Sequence, residues 1–268
     1  MKAKILGLDR SEVGSMDLPD VFLTPYLPTV IHKTYVSLLS HSFQAQGRLP
    51  VAGQIVSAES RNTGLGIARI ARARGQGFPR AGQAAGVAGV RHGRVAHPPV
   101  SWRRILKRVN ARERRLGLCS AIAATVRRDI VQRRGHDLGG ISELPLIVSN
   151  EIESIEKAKE LHNVLIKLGM QEDLKRARAG RRKAYGSLRK HGRTSGLSVL
   201  IVVGGMSNVT KLSRSIAGVD VTTAGNLNVL ALAPGSKPIR LTLYSQNAID
   251  RLQLLRESVH EIMEMKIR

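Results

Sequence analysis

Apolar positions change their spacing along this chain, and each change marks an element. From Lys2 to Leu8 apolar and polar residues alternate, Asp9 to Gly14 carries turn residues, and Val21, Phe22 and Leu23 precede Pro25, a pattern for a short hairpin. Pro28 suits the first turn of a helix with Ile31, Tyr35, Leu38 and Leu39 on one side, and Gly47 and Pro50 would stop it. Asn110 followed by Glu113 has capping-box spacing and opens a long helix that Gly135 ends. In it Leu116, Cys119, Ile122, Val126 and Ile130 recur at steps of three and four as a buried face. Arg112, Arg114, Arg115, Arg127, Arg128, Arg133 and Arg134 occupy the rest.

Leu144–Ser149 reads as a buried strand. A helix follows with Ile155, Ala158, Leu161, Leu165 and Leu168 on one face and Gly169 as its stop. Lys175–Arg193 is basic and glycine-containing without an apolar period, so it reads as a loop. Leu197–Val203 is apolar on both faces, as a central strand of a parallel sheet must be. Asn208–Ile216 predicts a short helix, Val219–Thr223 a strand, Leu227–Leu232 a short element and Ile239–Ser245 a strand. Ser245 or Asn247 would cap a last helix carrying Ala248, Leu252, Leu255 and Val259. Strands alternating with helices predict an α/β fold, a three-layer body with a mostly parallel central sheet.

One stretch fits no element. Gln44–Pro99 carries Arg48, Arg61, Arg69, Arg72, Arg74, Arg80, Arg91 and Arg94, no lysine, and Glu59 as its one acid, with ten glycines between. Such a segment cannot bury enough apolar surface to offset its own ordering entropy. We therefore expect residues 1–43 and 100–268 to form the body, and 44–99 to be an extended arm inserted after the first helix. Run as a simple out-and-back hairpin, about 28 residues each way at ~3.3 Å per residue would reach roughly 90 Å. His97-Pro98-Pro99 marks the return, and Trp102 beside Arg103 and Arg104 is a candidate anchor for the arm's base.

Charge turns this arm into a functional reading. The net charge is +23 and the isoelectric point about 11.3, which concentrates polyanions at the surface. Aromatics make up 3% of the chain, so rows of stacked bases cannot be its main mode and phosphate contact must dominate. A membrane helix would pair its cations with Trp, Phe and Leu, whereas Phe78 is the only aromatic residue of the arm. RNA is the expected partner, with no membrane. No apolar run reaches the roughly 18 residues of a span and the N-terminus is too polar for a signal peptide, so a cytoplasmic protein is expected.

Catalytic chemistry finds little support. Gly64-Leu65-Gly66 and Val203-Gly204-Gly205-Met206 match neither a Walker A loop nor a dinucleotide fingerprint and read as turn glycines. The eight histidines show no paired-ligand spacing, and the single Cys119 falls on an apolar helix face, so no metal, disulfide, nucleophile or cofactor is expected. His97 suits a phosphate or ribose contact or a structural turn. An RNA-modifying or RNA-processing enzyme with the arm as clamp is the alternative, and it would require a polar cluster at the strand ends.

The residues then take on a family resemblance. AGQIVSAES with its glycine/arginine tip, GRVAHPP at the return, NARERRLGLCSAIAAT, QRRGHDL, RARAGRRKAYG, AGVDV and LALAPG resemble, in order, the large-subunit ribosomal protein L four family in its archaeal and eukaryotic branch. In place of a glycine-richer run this chain has RAGRRKAYGSLRK, and its end at Arg268 suits the archaeal length. The resemblance implies a structural rRNA-binding protein whose partners are 23S-type rRNA, neighbouring large-subunit proteins and the nascent peptide in the exit tunnel. It implies a tip at Asn62–Arg80 that helps line the tunnel, with Arg69, Ile70, Arg72, Arg74 and Gly75 nearest to it. The candidate rRNA contacts are Arg48, Arg61, Arg69, Arg72, Arg74, Arg80, Arg91, Arg94, His97, Arg103, Arg104, Lys107 and Arg112. A second contact is expected at Arg178, Arg181, Arg182 and Lys183.

Overall fold

The structure, a computed structural model, describes residues 1–179, 182–183, 193–194, 196–236 and 239–253. Strands β1 (Lys2–Leu6) and β2 (Glu12–Asp17) form the expected hairpin, with Lys2 opposite Asp17 and a register shift between Ile5 and Leu6. β2 starts inside the anticipated turn, and Asp20–Leu23 is a 3-10 turn that buries Val21 and Phe22. Helix α1 (Pro28–Ser40) begins at its proline and ends before Gly47 is reached. Its buried line is Ile31, Thr34, Ser37 and Ser40, while Tyr35, Leu38 and Leu39 are half-buried. Ser37 and Ser40 occupy that line because they have partners there. The Ser37 hydroxyl donates to the Lys107 carbonyl at 2.7 Å, and the Lys107 N–H donates to Ser40 Oγ at 3.0 Å. After α1 come two three-residue strands, β3 (Ala58–Ser60) and β4 (Ala71–Ala73).

The long helix expected from Asn110 to Gly135 is two helices, α2 (Ala111–Ala124) and α3 (Arg128–Arg133). Thr125 interrupts it. Its hydroxyl donates to the Ile122 carbonyl at 2.7 Å and meets the buried Tyr244 hydroxyl at 3.1 Å, and the N–H groups of residues 125–127 turn back to carbonyls three residues earlier. The capping box also fails to form: Asn110 makes no side-chain cap bond, and Glu113 pairs with Lys33 at 2.8 Å instead. Gly117 brings α2 against α1, since a Cβ there would lie 2.5 Å from Thr34 Oγ1. Gly135, at φ +90°, ends α3 as expected.

Strand β5 (Leu146–Val148) is followed by a 3-10 turn, α4 (Ala158–Leu165), an irregular turn closed by Gly169, and α5 (Gln171–Ala179). The loop expected from Lys175 is therefore helical through Ala179, because Leu174 and Ala177 supply a short buried face. Two paired two-residue strands, β6 (Arg182–Lys183) and β7 (Arg193–Thr194), follow; Arg181 lies outside the described residues. β8 (Leu200–Val203), α6 (Val209–Leu212), β9 (Asp220–Thr223), α7 (Val229–Leu232), β10 (Thr242–Ser245) and α8 (Gln246–Leu252) complete the described body. Ser245 caps α8 by accepting from the Ala248 N–H at 3.1 Å, while Leu255 and Val259 lie outside the described residues.

The main sheet runs β2-β1-β5-β10-β8-β9, antiparallel only at β1–β2. Alternate side chains feed two cores. Ile147, Leu200, Val202 and Tyr244 join Ile31, Ile122 and Ile249 on one face. Leu146, Val148, Ile201, Val203 and Leu243 join Leu161, Leu165 and Leu174 on the other. This is the three-layer α/β body, with helices on both sides of a mostly parallel sheet.

Arg240, 1% exposed just before β10, ties the far strands together. Its guanidinium donates to the carbonyls of Ser198 (2.5 Å), Val199 (3.0 Å) and Gly218 (2.6 Å) and to Asp220 Oδ2 at 2.5 Å. Burial pulls its pKa below the ordinary arginine value, and the Asp220 carboxylate opposes that. Replacing it by methionine removes all four bonds; the Gly218 and Val199 carbonyls keep the Ser198 and Asp220 N–H groups, and the Ser198 carbonyl loses its guanidinium partner. Arg240→Met is expected to cost about 1–3 kcal/mol in a denaturant titration, and a change within about 0.5 kcal/mol would refute this role.

Candidate nucleic-acid interface

The described chain divides into two compact units, Met1–Ser40 with the residues from Lys107 onward, and His41–Leu106. In the second unit no residue is buried. Leu49, Val51, Ile55, Val56, Leu65, Ile67, Phe78 and Val95 are all exposed, a pattern that a self-contained domain of this length would not leave. Backbone hydrogen bonds supply what order there is. β3 pairs antiparallel with β4, Ala58 opposite Ala73. On the other side of β4, Ala73 N–H donates to Gln83 O at 2.9 Å and Ala85 N–H to Ala71 O at 2.9 Å. β4 is thus the middle of three short antiparallel segments. A single out-and-back hairpin is the wrong picture, because the residues near its midpoint fold back twice and do not contribute to full extension.

The alanines of β4 place Arg72 and Arg74 where the ladder exposes or holds them. Arg74 is ion-paired with Glu59, and Arg72 Nη1 donates to the Gly82 carbonyl at 3.0 Å. Arg48, Arg61, Arg69, Arg80, Arg91, Arg94 and His97 are exposed, and none of these arginines is ion-paired among the described residues. Ile70 is half-buried, and Gly75 sits at φ +101° in the turn after β4. Arg103 and Arg104 are exposed, and so is Trp102, at 73%. In the other unit, Lys107, Arg112 and Arg178 are exposed, the last two on α2 and α5. Nothing is described of the side chains of Arg182 and Lys183.

The sequence pattern of the "Ribosomal protein L4/L1 family" matches residues 16–254, which takes in the arm and nearly all of the described body. The chain belongs to the Ribosomal protein L4/L1 family. Among relatives, the chain is 41% identical over 255 residues to the large ribosomal subunit protein uL4 of Methanococcus vannielii, an alignment covering 94% of this chain and 99% of that one. The uL4 of Methanococcus maripaludis strain C6 is 40% identical over 254 residues, covering 94% and 98%. That of Pyrobaculum aerophilum is 38% identical over 255 residues, covering 94% and 89%. A ribosomal protein of this kind is a structural component rather than an enzyme.

For this L4/L1 family chain, the charged groups inside the body serve the fold. At the carboxyl ends of β5, β8 and β10, where open α/β sheets bind ligands, the protein's own Glu153 accepts from the Gly204 N–H at 2.8 Å and from Ser245 Oγ at 2.6 Å. A Cβ on Gly204 would lie 2.6 Å from that of Asn247, so this glycine serves close packing of β8 against α8. Arg128 is exposed but donates to the carbonyls of Leu138, Ile141 and Ser142, so its guanidinium also braces the 138–142 turn. Cys119 is buried, and burial pushes its thiol up to about 11, as suits a packing residue. No cluster of three or more metal-type ligands occurs among the described residues, and no described helix is long and apolar enough to cross a membrane.

Periodicity gave no sign of a second polar centre. Asp173, fully buried at the start of α5, accepts from His136 Nδ1 at 3.1 Å, the Asp137 N–H at 3.1 Å, Arg176 Nε at 2.9 Å and Ser198 Oγ at 2.5 Å. Burial alone would raise its pKa, but the donors outweigh burial and hold the carboxyl well below the usual range. Burial lowers His136, against the pull of Asp173, and protonation would leave an Nε2–H that has no partner among the described residues. The imidazole is neutral and donates through Nδ1. The contact is a hydrogen bond rather than an ion pair. Both depressed values make the fold lose stability as pH falls, because the unfolded chain binds the protons first. The His136 contribution is lost as pH falls below the ordinary value of about 6.5, and that of Asp173 only as pH falls below about 4. We expect urea midpoints to decline from pH 7 to pH 5 and His136→Gln to flatten that decline; an unchanged slope would refute the assignment.

Proposed function

We propose that this chain is a structural constituent of the large ribosomal subunit, acting in translation in the cytoplasm, and that it binds large-subunit rRNA chiefly through the arm 44–99. The observation that carries this reading is a unit, His41–Leu106, with no buried residue and a set of exposed, unpaired arginines. Relatives named as large ribosomal subunit proteins over nearly their whole length support it. RNA would complete the arm from outside. Its phosphates take the guanidiniums bidentately, and its bases and sugars cover apolar side chains the protein leaves bare. Recognition is then of rRNA shape and phosphate position.

Within this reading Arg48, Arg61, Arg80, Arg91, Arg94 and His97 lie along the rRNA, with Arg103, Arg104, Lys107 and Arg112 at the arm's root. Arg178, Arg181, Arg182 and Lys183 form the second contact. The tip, residues 62–80, reaches the exit tunnel, with Arg69, Ile70, Arg72, Arg74 and Gly75 nearest the nascent peptide. The Arg74–Glu59 and Arg72–Gly82 contacts set how those two arginines are presented.

Sedimentation tests the proposal. The protein is expected to co-migrate with the large subunit at moderate salt, and with rRNA alone its log affinity should fall with log salt at a slope of about 3 to 4 if half of the eight arm arginines contact phosphate. Arg48→Gln and Arg61→Gln should each lower that slope by about 0.7–0.9. Protein remaining at the top of the gradient would overturn the proposal.

A further inference from the structure

The arm unit contains a pocket of about 510 Å³ whose lining separates into two kinds of residue. Val56, Phe78 and Val90 form an apolar side, and Arg74, Arg80 and Arg91 supply cations around it. The volume lies within the range that small ligands fill, on the order of 300–1,000 Å³. It offers room for one nucleotide and none for a folded partner.

Phe78 is placed for this by the turn beneath it. Gly75 adopts φ +101°, which side-chain-bearing residues avoid, and a Cβ there would lie 3.0 Å from Phe78 Cε1. The ring therefore rests against a bare glycine and remains 42% exposed. It is the only aromatic side chain lining the pocket. Gln83, also in the lining, donates its amide to the Pro79 carbonyl at 3.0 Å, which leaves its own side-chain carbonyl as an acceptor. An aromatic face, three guanidiniums and a fixed amide match an unstacked base with its adjoining phosphates. A peptide would bring little negative charge to three arginines of which only Arg74 has an acid, Glu59.

We propose that this pocket holds a single extruded base of the large-subunit rRNA, stacked on Phe78, with flanking phosphates on Arg80, Arg91 and Arg74. The inference rests on the reading that the arm is bound by rRNA and adds to it one point of base contact in an interface otherwise made to phosphates.

The test uses assembled large subunits carrying the full chain. Under ultraviolet light the peptide containing Phe78 should carry a ribonucleotide adduct at one position of the rRNA. The same base should resist a probe of its pairing edge (dimethyl sulfate for adenine or cytosine, a carbodiimide for uracil or guanine) in the unaltered subunit, react on the order of tenfold more in Phe78→Ala subunits, and stay protected in Phe78→Tyr. Should Phe78→Ala fail to assemble, the adduct in the unaltered protein and protection in Phe78→Tyr decide. Assembly without any ribonucleotide adduct on that peptide, or an adduct to nascent peptide instead, would overturn this inference while leaving rRNA binding intact. A chain that never enters the subunit would overturn both.

Discussion

Conformational entropy sets the terms for His41–Leu106. Holding a residue's backbone in one conformation costs roughly 1–2 kcal/mol, and glycine costs more than other residues. In a folded domain the burial of apolar side chains offsets that cost. Here no side chain is buried, and the three short antiparallel segments around β4 gain only hydrogen bonds that water would also provide. The unit has the composition of something whose remaining surface contacts come from a partner, and its unpaired arginines fix the sign of that partner's charge.

The body resolves the opposite problem. It has two cores, one on each face of the sheet, and several charged groups inside them. Each of these has partners nearby: Arg240 has three carbonyls and Asp220, and Asp173 has His136, Arg176 and Ser198. Glu153 takes the Gly204 N–H and the Ser245 hydroxyl at the strand ends, the place where open α/β sheets bind ligands. Charges inside the body are thus committed to folding, and those in the arm are left for binding. Residues 44–99 set eight arginines against one acid, +7 of the chain's net +23, so the body is basic as well.

Long elements with a clear period were legible in the sequence. β8 read correctly because strands covered on both faces are apolar throughout, and α1 and α3 are bounded by Pro28 and Gly135. Failures came where a side chain preferred a distant partner to a local one. Thr125 bonds Tyr244 and breaks the long helix; Glu113 takes Lys33 and leaves the capping box open; Ser37 and Ser40 face inward because Lys107 is there. None of those partners lies within a helical turn, so periodicity cannot reveal them. The arm's composition announced an anionic partner, but its double fold-back depends on backbone hydrogen bonds, which leave almost no side-chain signature. His136 and Asp173 lay in sequence as ordinary polar residues; only a charged residue amid apolar neighbours, as at Arg240, carried a hint.

The central claim is that rRNA supplies the core which His41–Leu106 lacks. Hydrogen exchange, followed by mass spectrometry on the free protein and on the large subunit, addresses it residue by residue. In the free protein the amides of β8 and β10 should exchange slowly and those of residues 41–106 fast, the ladder at 71–74 and 82–85 included; in the subunit the arm should become protected while the body changes little. Arm amides protected to the same degree in both states would contradict the claim.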